Sequence, residues 1–120
     1  KAKDLADIWI KKYPDLKAIF CNNDVMALGV QEAVNASKRD ILVVGVDGIQ
    51  EAYNSIKKGE MDATIDSFPI YKGQIAVEMA LRKLGGQALP KVIWTPQALI
   101  DITNVNEPAE KIINWQEPQF

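Results

Sequence analysis

The sequence predicts an α/β domain with a doubly wound, flavodoxin-like and mainly parallel sheet. Three observations carry that expectation. An apolar run ending in a polar or acidic corner, with a helical pattern at once behind it, occurs at Lys17–Asp24, at Ile41–Gly48 and at Ala63–Pro69. Ile41 to Val46 is continuously apolar and branched, the pattern of a strand covered on both faces. Strand and helix patterns alternate along the chain, which implies right-handed parallel crossovers.

Taken in order, the first helix runs from about Lys3 to Tyr13. Ala2, Leu5, Ile8, Trp9 and Tyr13 fall on its apolar face, with Trp9 expected to cover the core. Pro14 stops it, because the residue before proline disfavours the α region. Leu16 to Cys21 is the first strand, and Cys21 at its end reads as a small buried apolar residue. The second helix places Met26, Ala27, Val30, Ala33 and Val34 on one face and ends near Asn35 to Ser37. Asn23 or Asp24 caps it, with Asp24 read purely as a cap. Gly29 inside this helix implies close packing on the sheet, since glycine there costs about 1 kcal/mol against alanine.

Ile41 to Val46 is the second strand. Asp47-Gly48 turns into a helix with Ile49, Ala52, Tyr53 and Ile56 inward and Gly59 as its C′ residue. Ala63 to Asp66 is a third, shorter strand. Pro69 suits the first turn of the next helix. Gly73, Ala76, Val77, Ala80, Leu81 and Leu84 form the expected inner face of that helix, and Gly85-Gly86 ends it. Val92 to Trp94 and Ala98 to Thr103 are extended runs joined at Thr95-Pro96 and expected to run back along the domain. Beyond Asn104 the chain reads as a polar tail with Pro108, Trp115 and Pro118, and with a short helix over Ala109 to Asn114. Residues 1–103 thus form the domain and 104–120 the tail.

Composition narrows the function. The 120 residues carry a net charge of -2 with both signs interspersed and no basic stripe, which argues against nucleic acid as a partner. There is no histidine, so Ser-His-Asp and Cys-His catalysis and His-ligated metals are excluded. The single cysteine cannot form an internal disulfide and does not identify a compartment. No apolar run approaches the roughly 20 residues of a membrane span. The chain opens directly on a helical pattern without a leader, which leads to the expectation of a fragment of something longer.

In open α/β sheets the ligand crevice lies at the carboxyl ends of the strands. Asn23, Asp47 and the pair Asp66–Ser67 end successive strands and would converge on one rim. A carboxylate accepts hydrogen bonds from neighbouring hydroxyls, and an asparagine amide both donates and accepts. The set suits a neutral polyhydroxylated ligand and lacks the lysine or arginine a phosphate would need. The plainer reading is that each residue caps its own helix. Magnesium binding or acid–base catalysis by the carboxylates is set aside, because these corners hold no nucleophile, phosphate loop or basic residue. No cofactor and no metal are expected.

Asn22-Asn23-Asp24-Val25-Met26-Ala27-Leu28-Gly29, then Val43-Val44-Gly45-Val46-Asp47-Gly48, then Ala63-Thr64-Ile65 before Pro69, resemble the ribose-binding-protein family. These are the type I sugar-binding proteins of bacterial ABC transporters, and the resemblance runs through Gly85-Gly86 to Thr103. It implies a periplasmic or extracellular, cell-envelope protein. It also implies a sugar held between two α/β domains and delivered to a membrane permease. It maps sugar contacts onto Asn23 and Asp47. A glutamine often ends the family's next strand, where this chain has Ser67 preceded by Asp66. It further implies that an amino-terminal domain and the first two strands of the carboxyl-terminal domain are missing here. That would leave an open sheet edge at Leu16–Cys21 able to pair with another chain. The alternative is the effector domain of a LacI-type repressor, which shares the fold and would carry a helix-turn-helix upstream. A third class, a flavodoxin-like enzyme, would need a phosphate loop or a nucleophile.

Overall fold

The computed structural model describes residues 1–113. Trp115, Pro118 and the Asn114 end of the expected last helix lie outside the described residues. The order is α1 (Ala2–Lys12), β1 (Ala18–Phe20), α2 (Asp24–Ser37), β2 (Leu42–Asp47), α3 (Gln50–Lys57), β3 (Ala63–Asp66), α4 (Pro69–Leu84), β4 (Ala98–Asp101) and α5 (Ala109–Ile112). The sheet order is β1-β2-β3-β4. β1 pairs with β2 and β2 with β3 in parallel, while β4 returns antiparallel to β3. The fold is therefore a mainly parallel sheet with flanking helices, and β1 is an edge strand. Val92–Trp94 forms no strand.

The core joins α1, α2 and α3 to one face of the sheet. Ala6, Ile10, Ala27, Val30, Val43, Ile56, Met61 and Ile100 belong to one buried cluster, which also takes in Cys21 and Val105. Burying each large apolar side chain contributes about 1.5–3 kcal/mol. The face of α1 differs from expectation. Ala6 and Ile10 are buried, while Leu5, Ile8, Trp9 and Tyr13 are exposed. The helix carries two apolar stripes, and the narrower one meets α2. Gly29 lies against Ala2 and Lys3 of α1 rather than against the sheet.

Arg39 fixes the end of α1. Its Nη1 donates to the carbonyls of Ile10 at 2.6 Å and Tyr13 at 3.1 Å. Its Nη2 donates to those of Pro14 at 2.7 Å and Leu16 at 3.0 Å. One side chain thereby ties a carbonyl of the last turn of α1, that of its C-cap Tyr13 and two of the turn that follows.

The opposite sheet face is not closed. In β2, Val43 and Gly45 are buried, but Leu42 is exposed and Val44 and Val46 are half-buried. Phe20 on β1 is 65% exposed. The expectation of cover on both faces of β2 therefore fails. α4 buries Ile75 and Met79. Its expected inner face, Gly73, Ala76, Val77, Ala80, Leu81 and Leu84, is exposed instead, with Leu84 85% accessible. A helix apolar on two sides is built to be covered on two sides.

Candidate ligand-binding rim

The three parallel strands end on one side of the sheet. Asp47 and Asp66 are direct partners in register, and the β1 corner lies on the far side of β2. Asn23, Asp47 and Ser67 therefore stand along one rim.

Asn23 is the N-cap of α2, and its Oδ1 accepts the Met26 N–H at 2.8 Å. Among the described residues its NH2 group has no hydrogen-bond partner. Asp47 is exposed and has φ 125°, a conformation that L residues rarely adopt. Holding it there costs on the order of 1–3 kcal/mol. Among the described residues no donor reaches its carboxylate. Ser67 is half-buried, and its N–H lies 3.5 Å from the Asp47 carbonyl, which links the second corner to the third.

Asp66 sits deeper, at 7% exposure. Its Oδ2 accepts the Tyr53 hydroxyl at 2.8 Å and its Oδ1 accepts the Phe68 N–H at 2.7 Å. It forms the floor of the rim. Burial pushes the Tyr53 phenol well above its ordinary range, and the hydrogen bond to Asp66 and the charges of Asp66 and Asp24 push the same way. Gly48 has φ 79°, and a Cβ there would stand 2.2 Å from Asp66 Cγ, so the residue after Asp47 has to be glycine. A hollow of about 270 Å³ opens beside this corner, lined by Gly48, Tyr53, Asp66, Phe68, Pro69 and Tyr71 among others. Asn23 and Asp47 lie outside it, on the open part of the rim.

Asp24 is not the cap expected of it. It opens α2 behind Asn23, and its side chain is fully buried. Its Oδ2 accepts the N–H groups of Gly48 at 2.8 Å and Ile49 at 3.0 Å, and its Oδ1 accepts the Thr64 hydroxyl at 2.6 Å. A Cβ on Gly45 would stand 2.2 Å from that Oδ1. Glycine in mid-strand makes room for the carboxylate. That pairing was the one trace of Asp24's role in the sequence. Burial also raises the Cys21 thiol, which leaves it unreactive. Among the described residues no cluster of acidic or sulfur side chains is arranged to hold a metal. No helix of the described residues is long and apolar enough to cross a membrane.

An open parallel sheet with polar, uncharged and acidic groups gathered at its strand ends belongs to the class of doubly wound ligand-binding domains. Residues 1–88 match the family described as a periplasmic binding protein domain, and the chain belongs to that family. It is 42% identical over 90 residues to the ribose import binding protein RbsB of Bacillus subtilis (strain 168), covering 75% of this chain and 30% of that protein. It is 40% identical over 93 residues to the D-allose-binding periplasmic protein of Escherichia coli (strain K12), with the same coverage of each. Among solved structures, it is similar to an ABC transporter periplasmic solute binding protein from Actinobacillus succinogenes 130z with bound D-allose. That match has a TM-score of 0.84 and 31% identity, over 89% of this chain and 38% of that one. A solute binding protein from Bacillus halodurans C-125 with bound myo-inositol matches at TM-score 0.77 and 28% identity, over 88% and 37% of the two chains. The chain thus spans about 30% of the length of the curated relatives named here.

Proposed function

We propose that this chain is the carboxyl-terminal part of the solute-binding component of a bacterial ABC transporter. It binds a monosaccharide or related polyol in a cleft between domains and hands it to the membrane permease. Residues 1–103 carry the sheet of the sugar-binding domain, and the segment 104–120 expected as its tail starts against the core, where Val105 is buried. The site lies in the periplasm or on the outer side of the cell envelope. The observation that carries this reading is the rim itself, where the Asn23 amide and the Asp47 carboxylate stand with hydrogen-bonding capacity to spare. Ser67 completes the contacts, and Asp66 supports them from below. The relatives' names, ribose import and D-allose binding, favour transport over the repressor alternative. The rim binds without chemistry, since it pairs no nucleophile with a base.

Magnitudes favour a two-domain site. Hydrogen bonds to a charged group contribute roughly 1.5–3 kcal/mol each. Association costs on the order of 4–15 kcal/mol before any gain appears. Of the contacts this rim offers, only that to Asp47 involves a charged group, while those to Asn23 and Ser67 are neutral and contribute about 0.5–1.5 kcal/mol each. Their sum falls short of the association cost plus the roughly -8 kcal/mol of micromolar binding, and closure of a second domain supplies the rest.

Calorimetry of the intact protein with D-ribose, D-allose and myo-inositol tests this. Asp47→Ala is expected to weaken binding by about 1.5–3 kcal/mol and Asn23→Ala by about 0.5–1.5 kcal/mol, with the fold retained. Unchanged affinity in both variants refutes the assignment.

A further inference from the structure

The corner that presents Asp47 is held from outside itself. Asp47 and Gly48 both have positive φ, at 125° and 79°. α3 begins directly behind them, and its N-cap Ile49 provides no side-chain cap of its own. The two amides at this helix start, Gly48 and Ile49, are bound instead by one oxygen of Asp24. That carboxylate is fully buried, and its partners are two backbone amides and the hydroxyl of Thr64, which is itself fully buried. A buried carboxylate without a cationic partner is costly unless every hydrogen bond is made. Here the surroundings are shaped to it, since Gly45 leaves open the space its Oδ1 fills.

We propose that Asp24 is the positioning residue of the ligand site: through the Gly48 and Ile49 amides, its carboxylate holds Asp47 in the conformation that presents Asp47 to the ligand. The inference rests on the reading of this rim as a sugar site. Asp24 touches no ligand, because it is enclosed. Thr64 aims the carboxylate from the neighbouring strand, so β1, β2 and β3 share one fastening beneath the rim. A purely structural Asp24 would lower stability without regard to Asp47. A positioning Asp24 couples to Asp47 in binding.

A double-mutant cycle in the intact protein separates the two roles, read by calorimetry with D-ribose, D-allose and myo-inositol. Asp24→Ala is expected to weaken binding about tenfold or more, whereas in an Asp47→Asn background the same change costs less than about twofold. Asp24→Asn keeps an oxygen toward the two amides and is expected to restore most of the affinity. Hydrogen exchange of the Gly48 and Ile49 amides should quicken in Asp24→Ala. Should Asp24→Ala fail to fold, Thr64→Val takes its place. It is then expected to weaken binding about threefold, with coupling to Asp47→Asn and with rescue by Thr64→Ser. Affinity unchanged in the folded variant, or an equal loss with and without the Asp47 substitution, overturns the proposal. Wild-type protein that binds none of the three ligands overturns the sugar reading and this inference together. Binding that the Asp24 and Thr64 variants leave intact overturns this inference alone.

Discussion

At the scale of single residues, two glycines with similar backbone angles have different reasons to be glycine. Gly48 and Gly59 have φ 79° and 72°, but a Cβ on Gly48 would strike Asp66 while one on Gly59 meets nothing within 4 Å. Gly59→Ala is expected to cost about 1 kcal/mol and Gly48→Ala at least about twice that, read by urea denaturation. Tyr53 and Asp66 make a second pair with a measurable signature. The folded state favours the neutral phenol, so its titration is raised above the ordinary value. The stability this adds is complete below about pH 10 and is lost as the pH climbs from there into the native phenol's own titration. Tyr53→Phe leaves a buried carboxylate oxygen short of a donor and should cost about 1–2 kcal/mol at neutral pH. It should also remove from the ultraviolet titration one phenol that resists ionisation. The places of Asn23 and Asp47 at strand ends were legible because a polar corner after an apolar run marks such an end. Asp24 was not, because an acidic residue at a helix start looks like a cap whichever way its side chain turns.

At the scale of elements, every helix and the three parallel strands were legible, and two helix faces were not. α1 and α4 each carry two apolar stripes, and periodicity cannot say which stripe meets protein. In α1 the stripe of Ala6 and Ile10 is the buried one, and Gly29 of α2 comes close to Ala2 at the start of the helix. In α4 the stripe of Ile75 and Met79 is buried and the broader one faces outward. The junction from α1 to β1 depends on Arg39, which no local pattern announced, because its carbonyl partners precede it by 23 to 29 residues. Lysine keeps the charge but has no planar fork, so Arg39→Lys should cost about 2 kcal/mol by thermal or chemical denaturation.

At the scale of the molecule, the expected order of parallel neighbours was legible from alternation, which would not have reversed β4. Its return came from the extended run Ala98 to Thr103, and the companion run Val92–Trp94 forms no strand. What alternation could not give is how far the layers close. The radius of gyration is 18.1 Å, against about 14 Å for a compact domain of this length. The excess reflects an elongated shape, with principal extents of 58, 26 and 20 Å. The Asp24 fastening, by contrast, is long-range. Thr64 lies 40 residues from Asp24 along the chain, and Gly48 lies 24 away. Contacts so distant in sequence carry a large loop-closure cost and form only after both crossovers are in place. That makes the fastening a latch on the exit from the native state rather than a seed for entry to it. Thr64→Val should accordingly steepen decay of the native protein several-fold while leaving the refolding rate almost unmoved, as the two arms of a chevron plot would record.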